Sequence, residues 1–171
     1  MVQTSVRSAT PADLAELQAI EDDADTLFAS LFSIAAWRPA PSGSDRAGRP
    51  GFILVASDTA GSAALGFAHV VEIPGGDHLE QLSVRPSASR RGHGRALVEA
   101  AVSASRRRGR TRLTLRTYAE VPWNAPCYAS CGFVEAEPDT DFLRELVLLE
   151  QRYGLDQGRR VQMTHTLTEP Q

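Results

Sequence analysis

The stretch from Leu82 to Leu97 constrains the fold more than any other part of the chain. An apolar strand end runs into an arginine-containing loop with the sequence Gly92-His93-Gly94, and a helical pattern follows directly. The first N–H groups of a helix have no partners within the helix, the helix dipole makes that end positive, and glycine lets an anion approach the backbone closely. The segment therefore predicts a strand–loop–helix unit that binds phosphate groups.

Two familiar phosphate-binding motifs do not match this loop. A P-loop would continue into Gly-Lys-Ser/Thr, and no such sequence follows here. A dinucleotide-binding fingerprint would have its third glycine three residues after Gly94, where this chain has Leu97. The loop is therefore expected to bind a different kind of phosphate-bearing ligand.

The charge distribution also indicates a polyanion. Between Arg85 and Arg116 there are ten arginines and a single acid, Glu99, which gives +9, whereas the rest of the chain amounts to −12. A positive segment in an acidic chain favours binding of a phosphorylated ligand. Because the charge is confined to one loop, its helix and the next strand, with no interleaved aromatic residues, we expect no nucleic-acid partner.

The composition fits one soluble domain. The chain has 171 residues, of which 42% are hydrophobic, enough for one core. No apolar run approaches the length of a membrane span, and the N-terminal residues lack the features of a signal peptide, so we expect no membrane partner and a cytoplasmic location. Cys127 and Cys131, with no histidine nearby, are too few for a zinc site, and no metal is expected.

The order of predicted elements indicates an α/β fold over residues 1–171, with a mixed sheet of six to seven strands and helices on both faces. Thr10 is predicted to cap the first helix, because Pro11 and Asp13 follow it. Residues 38–50, rich in Pro, Gly, Ser and Arg, predict a mobile surface loop. The predicted strands are 2–7, 52–56, 65–73, 78–84, 111–117, 133–136 and 161–167, and the later helices are 26–36, 95–108, 124–130 and 141–153.

Two motifs resemble those of the GNAT N-acetyltransferases. The family's acetyl-CoA signature is Val-x-Pro, then Gln/Arg-x-x-Gly-x-Gly/Ala and a helical Leu, and residues 84–97 are similar to it, with Ser89 in the Gln/Arg position beside Arg90. The family's Tyr-x-x-x-Gly-Phe is matched by residues 128–133, although its frequent upstream Asn is replaced by Val121. Residues 121–126 (Val-Pro-Trp-Asn-Ala-Pro) also look like a bacterial subgroup of such enzymes. The resemblance implies the GNAT acyl-CoA N-acyltransferase fold.

The resemblance also implies acetyl-CoA as co-substrate. In the family, the strand backbone pairs with the pantetheine arm and the loop backbone holds the pyrophosphate. The residues implied to contact the cofactor here are Leu82, Ser83, Val84, Ser89, Arg90, Arg91, Gly92, His93, Gly94, Arg95, Asn124 and Tyr128.

Acetyl transfer from a thioester to an amine requires a proton acceptor, stabilisation of an oxyanion and a proton donor for the sulfur. His78 and Glu80 lie two apart on a predicted strand and so share a face, and either could accept the proton, with Glu80 preferred; a solvated pair at a strand end is the alternative. The resemblance implies that Tyr128 protonates the departing sulfur, and a backbone N–H near Leu82 is the expected oxyanion donor.

A cluster of acids near the predicted first helices bears on the identity of the acceptor amine. Glu21, Asp22, Asp23 and Asp25 lie where the family's first two helices wall the acceptor site; they could attract a cationic amine, although an exposed acidic helix face is the simpler explanation. Trp37 and Trp123 flank the predicted substrate-side loops, and packing residues are the alternative for both. We expect direct transfer in a ternary complex to a small-molecule amine. A protein N-terminus or lysine is the competing acceptor, and a non-catalytic acyl-CoA sensor or partner-binding module is the competing class.

The helix at 141–153 and the last strand could support a homodimer.

Overall fold

A mixed seven-stranded sheet forms the centre of the protein in a computed structural model that describes residues 3–32 and 38–167. The strands lie in the order β1-β2-β3-β4-β5-β7-β6, and every neighbouring pair is antiparallel except β4 and β5. The predicted α/β class and strand number are confirmed. The strands are β1 Ser5–Ser8, β2 Gly51–Ser57, β3 Gly66–Ile73, β4 Gly76–Val84, β5 Arg112–Tyr118, β6 Val134–Glu135 and β7 Arg160–Thr166.

Helices cover both faces of the sheet, as predicted. On one face, Leu97, Val98 and Ala101 of the long helix pack against Leu79 and Leu115 of the central strands. The opposite face is covered by two smaller clusters, one around Leu17, Ile20 and Phe67 and one around Leu143. The helices are α1 Pro11–Leu14, α2 Leu17–Asp25, α3 Gly43–Ala47, α4 His93–Arg107, α5 Ala125–Ser130 and α6 Asp141–Arg152.

The start of the first helix follows from its sequence. Thr10 and Asp13 form a reciprocal capping box, with Pro11 at the first helical position, which confirms the predicted cap. Asp13 also pairs with Arg7 of β1 at 2.5 Å, so the cap ties the helix to the first strand.

The second predicted helix, 26–36, is wrong at its start. The preceding helix α2 continues to Asp25 and ends in a single 3₁₀ turn, Thr26–Phe28, after which residues 29–32 form turns. The reason is the helical spacing of Leu17 and Ile20, which are both fully buried and extend the helix through the acidic segment. The remainder of the prediction, with Trp37, lies outside the described residues.

The segment 38–50, predicted to be a mobile loop, contains a short helix. Ser42 caps α3 by accepting a hydrogen bond from the N–H of Asp45 at 3.1 Å. Within this helix Arg46 is 3% exposed, pairs with Glu21 of α2, and lies 5.0 Å from the ring centre of Phe67. Burial lowers the pKa of the Arg46 guanidinium to about 10. The tertiary contact of one arginine therefore fixes a segment whose composition resembles a loop.

We expect Glu21→Ala to lower the free energy of unfolding by about 3 kcal/mol, because Arg46 would remain buried without its counter-ion. Urea denaturation measures this. Asp22→Ala, an exposed position on the same helix, should change stability by less than about 0.5 kcal/mol. A Glu21→Leu/Arg46→Met double variant should recover much of the loss. Equal losses for Glu21→Ala and Asp22→Ala would contradict a buried ion pair.

Among the described residues, none of the helices combines the length and apolarity needed to cross a bilayer. The homodimer suggested by α6 and β7 stays a prediction.

Candidate functional site

A cleft opens where the two parallel central strands part. Strands β4 and β5 pair only from Asp77 with Leu113 to Leu79 with Leu115. On its other side β4 pairs with β3, and the register there skips Glu80, which is the extra residue of a β-bulge. One edge of β4 beyond Leu79 is therefore free of β5 and faces the cleft.

The cleft has a volume of about 1090 Å³ and passes from the start of α4 to the region between α2 and α6. It brings together residues that are far apart in the chain. Of the residues predicted to contact the cofactor or to be catalytic, all except Arg91 line it, namely His78, Glu80, Leu82, Ser83, Val84, Ser89, Arg90, Gly92, His93, Gly94, Arg95, Asn124 and Tyr128. Arg91 instead pairs with Asp58 at 2.5 Å.

The loop before α4 has the geometry of an anion cradle. Gly92 precedes the helix with a φ of 90°, and a Cβ built on it would meet no atom within 4 Å. Among the described residues, no side chain caps this helix, so its first N–H groups have no capping acceptor. Arg90 is held in the left-handed region, with a φ of 61°. These features fit a diphosphate, whose oxygens would occupy the space that a side chain at Gly92 would fill.

His93 has a structural role within this loop. Its ring is buried, with Nδ1 3.2 Å from the hydroxyl of Thr4 and Nε2 3.1 Å from Asp58 Oδ1. The ring is thereby committed to the N-terminal segment and the β2–β3 turn. Only the backbone N–H of His93 remains for a ligand, and the side chain fixes the direction of the helix start.

The excess of positive charge in residues 85–116 is largely neutralised in three dimensions. Seven of the ten arginines pair with acids, most of which come from other parts of the chain: Arg85, Arg91, Arg95, Arg108, Arg110, Arg112 and Arg116. Arg90, in contrast, lines the cleft and has no ion pair among the described residues. A phosphate bound at this loop would therefore be attracted by Arg90 and the helix start rather than by the whole segment.

The remaining predicted cofactor residues surround this cradle. Leu82 and Val84 pack towards the α4 side of the sheet, and Ser83 accepts a hydrogen bond from the side chain of Gln81 at 3.0 Å. Ser89 is exposed at the cleft, and Arg95 donates to Ser130 Oγ at 2.8 Å. Asn124, the residue before α5, makes no capping hydrogen bond with its side chain.

The two candidate bases differ sharply in their surroundings. His78 is 5% exposed, its Nδ1 lies 2.8 Å from Thr114 Oγ1, and burial, with nearby Arg116, lowers its pKa to about 3. Its imidazole is therefore neutral and a weak base at ordinary pH. Glu80 is partly exposed at the bulge, and its carboxylate pairs with Arg49. These contacts favour Glu80 as the proton acceptor.

Tyr128 has the properties of a proton donor. It is 8% exposed, it lines the cleft, and its ring meets the edge of Phe133 at a centroid distance of 6.0 Å. Burial raises its pKa well above the ordinary value of 10.0, so the hydroxyl stays protonated. The motif around it also has a structural role, because Gly132 turns the chain at a φ of 93° and Phe133 enters the core.

The far end of the cleft, where the sequence predicts the acceptor and which is called the acceptor end below, is formed by α2, α6 and the segment after β5. Glu21, Ala24, Asp25 and Phe28 lie on one helical face and line it. Of the four clustered acids predicted there, Asp22 is exposed outside the cleft and Asp23 pairs with Arg85. Burial, with the nearby Asp22, raises the pKa of Asp25 to about 6.

Two residues of the site had no separate prediction. Arg49, the partner of Glu80, follows α3 and carries no local sequence signal, since only the fold brings it to β4. Asp25 was one member of an acidic group, and only its spacing of three residues from Phe28 and four from Glu21 could have separated it from the others.

We expect Asp25→Asn to stabilise the protein at pH 8 and to leave its stability unchanged near pH 3. The folded-state pKa of about 6 exceeds the ordinary 3.8, so ionisation of Asp25 destabilises the fold as pH rises from about 4 to 6. For a half-buried, partly hydrated carboxylate the gain should be about 1 kcal/mol, or roughly 2–4 °C in melting temperature. Thermal melts across this pH range measure it, and a gain that persists at low pH would exclude the titration of Asp25 as its cause.

Comparison with known proteins gives a match to a sequence family. Residues 49–135 match the sequence family described as an acetyltransferase (GNAT) domain. This region contains β2 to β6, and with them the bulge, the loop and the Tyr128 motif.

Solved structures extend the likeness to almost the whole chain. The ribosomal-protein-S18-alanine N-acetyltransferase from Escherichia coli superposes with a TM-score of 0.67 at 23% identity, over 99% of this chain and 97% of that one. PaiA N-acetyltransferase from Thermoplasma acidophilum, in complex with coenzyme A, has a TM-score of 0.69 at 18% identity, over 96% of this chain and 99% of that one. Nourseothricin acetyltransferase has a TM-score of 0.65 at 22% identity, over 96% of this chain and 99% of that one. These likenesses confirm the fold.

Proposed function

Because the chain belongs to the GNAT family of acetyl-CoA-dependent N-acetyltransferases, we propose that it transfers acetyl directly to the primary amine of a small molecule within a ternary complex. The observation that carries the proposal is one continuous cleft, which joins the uncapped start of α4 to Glu80 and then to the space between α2 and α6. Both substrates would thus meet at the bulge of β4.

Acetyl-CoA, when bound, supplies an acetyl thioester as the acyl donor. Its diphosphate would be held by the backbone N–H groups at Gly92, His93 and Gly94, with Arg90 adding charge-assisted hydrogen bonds. The free edge of β4 at Leu82 and Val84 would hold the pantetheine arm, and a backbone N–H there would donate to the acyl oxygen.

The protein's side chains would handle the two protons. Glu80 would accept a proton from the incoming ammonium, and Arg49 keeps its carboxylate oriented towards the site. His78, neutral and bonded to Thr114, would position the strand rather than take the proton. Tyr128 would hold its phenolic proton in readiness for the departing sulfur.

A small acceptor is favoured because the acceptor end is bordered on three sides, by the residues Phe28, Trp123 and Leu149. A protein acceptor is the alternative, and one structural neighbour is named as a ribosomal-protein N-acetyltransferase. A non-catalytic acyl-CoA sensor or partner-binding module is the third hypothesis for the function.

An acceptor screen tests the proposal. Purified protein would be incubated with acetyl-CoA and panels of small amines or peptides, and free thiol would be measured, with Glu80→Gln as the comparison. Turnover of small amines that falls at least tenfold in Glu80→Gln would support it. Turnover of peptides alone would reject the small-amine version, and tight acetyl-CoA binding without transfer to any acceptor would favour a sensor.

A further inference from the structure

We propose that the acceptor is a monocationic amine with an aromatic or similarly flat apolar body, an arylalkylamine. Asp25 would draw its ammonium group into the cleft, and Phe28 and Trp123 would hold its body. This inference rests on the proposed function and specifies the acceptor for the same site.

Asp25 is the uncompensated charge at the acceptor end. Within the part of the chain that the structure describes, three other carboxylates line the same cleft, and each already has an arginine partner: Glu21 with Arg46, Glu80 with Arg49, and Glu150 with Arg116 and Arg160. Asp25 has neither a side-chain capping bond nor an ion pair among the described residues. One free negative charge in a cleft matches one positive charge on a ligand better than the several charges of a polyamine.

Burial of this carboxylate opposes folding, as its raised pKa indicates. A half-buried acid without a partner is destabilising, and such positions are often kept for binding or catalysis. A cation entering the cleft would remove the penalty by favouring the ionised form of Asp25.

The wall beside Asp25 is aromatic. Phe28, three residues further along the same helical face, lies with its ring centre 5.8 Å from that of Trp123 and 5.9 Å from that of Tyr118. Tyr118 is already covered, by Phe32 at 4.5 Å and by the guanidinium of Arg160 at 4.6 Å. Trp123 is 45% exposed, so it retains free ring surface at the cleft.

Exposed apolar side chains concentrate around this end. The described residues include seven large hydrophobic side chains that are exposed, and four of them line the cleft: Leu27, Trp123, Leu149 and Tyr153. A majority gathered around one opening indicates a surface that is covered when a ligand binds. A strongly polar acceptor would leave this surface in contact with water.

Arg38 also lies at this end of the cleft and carries a positive charge. The guanidinium of Arg38 stands 4.4 Å from the ring centre of Tyr153, and Arg38 lines the cleft. It could meet a carboxylate on the acceptor, so amino acids must be compared with the corresponding amines. Because Arg38 is exposed whereas the Asp25 carboxylate is partly buried, we expect the carboxylate-free amine to be preferred.

The test compares acceptors that differ in one property. With saturating acetyl-CoA, kcat/KM would be measured for 2-phenylethylamine, ethylamine, ethanolamine, spermidine, phenylalanine and an N-terminal phenylalanine peptide. We expect 2-phenylethylamine to exceed every other acceptor by about tenfold or more, the scale of one aromatic contact with its buried apolar area.

Two variants separate the roles of charge and ring. Asp25→Asn should raise KM for 2-phenylethylamine about fivefold with little change in kcat, and Asp22→Asn, which removes the same charge outside the cleft, should not. Trp123→Ala should raise KM for 2-phenylethylamine about tenfold but leave KM for ethylamine unchanged. Leu148→Ala, an exposed apolar residue outside the cleft, is its control. Calorimetry should show 2-phenylethylamine binding to the acetyl-CoA-free protein more weakly in both cleft variants.

The outcomes are distinguishable. Preference for ethanolamine, spermidine, phenylalanine or the peptide, or equal effects of Asp25→Asn and Asp22→Asn, would overturn the aromatic-amine inference and leave the enzyme assignment intact. No transfer to any amine, with acetyl-CoA still bound, would overturn both.

Discussion

Replacing Gly92 with aspartate is expected to weaken acetyl-CoA binding by at least about 100-fold, because a carboxylate would occupy the anion cradle and repel the diphosphate. The side chain has room, since a Cβ on Gly92 meets no atom within 4 Å. Isothermal titration calorimetry measures the effect, and unchanged affinity would contradict the assignment of this loop to the cofactor.

The variant should nevertheless fold. The φ of 90° at Gly92 imposes a strain of about 1 kcal/mol on any other residue, although aspartate and asparagine tolerate this region better than most. A negative charge before a helix also offsets part of that strain. Gly92→Asn is the matched control, since it has the same shape and backbone strain without the charge. It should lose much less affinity than Gly92→Asp, and equal losses would mean that shape rather than charge is responsible.

The second large effect is expected for Tyr128→Phe, which should lower kcat about 100-fold, within the range for a lost general acid. The ring would be kept, so its edge contact with Phe133 and the protein's melting temperature should be preserved. Because the hydroxyl would act on the departing sulfur, affinity for acetyl-CoA should change by less than about threefold. Pre-steady-state thiol release and calorimetry on the same preparation measure the two quantities.

Three readouts distinguish a proton-donor role of Tyr128 from a binding role and from a structural role. A fall in acetyl-CoA affinity equal to the fall in kcat/KM would indicate a binding residue. A fall in melting temperature would indicate that the phenol supports the fold. An unchanged kcat would show that Tyr128 is not the proton donor. Water or another group in the cleft would then have to protonate the departing sulfur.

Some features of this protein are encoded within a few neighbouring residues, whereas others depend on contacts between residues far apart in the chain. The capping box at Thr10, the strand–loop–helix unit at Gly92 and the short helix that carries Tyr128 are each encoded within a few residues, and the structure contains all three. Even the burial of both sheet faces follows from apolar spacing. In these cases the physical cause is local: side-chain periodicity, a cap or a glycine.

Apart from the start of the helix predicted at 26–36, the predictions that changed concern partners distant in the chain. Residues 38–50 have the composition of a loop, and only Glu21 on another helix makes Arg46 a buried residue. The same is true of the arginine-rich segment, whose charge is balanced by acids from α2, β3, α6 and the connecting segments.

The sequence by itself determined the class of fold, the strand–loop–helix unit at Gly92 and the candidates for proton exchange, because these depend on local spacing. The tertiary structure decided the surroundings of these candidates: the bulge and parted strands place Glu80 beside Arg49, burial lowers the pKa of His78, and the other acids that line the cleft are paired whereas Asp25 has no ion pair among the described residues. The reason is that charge pairing and exclusion of water depend on distances between elements, which no local pattern specifies.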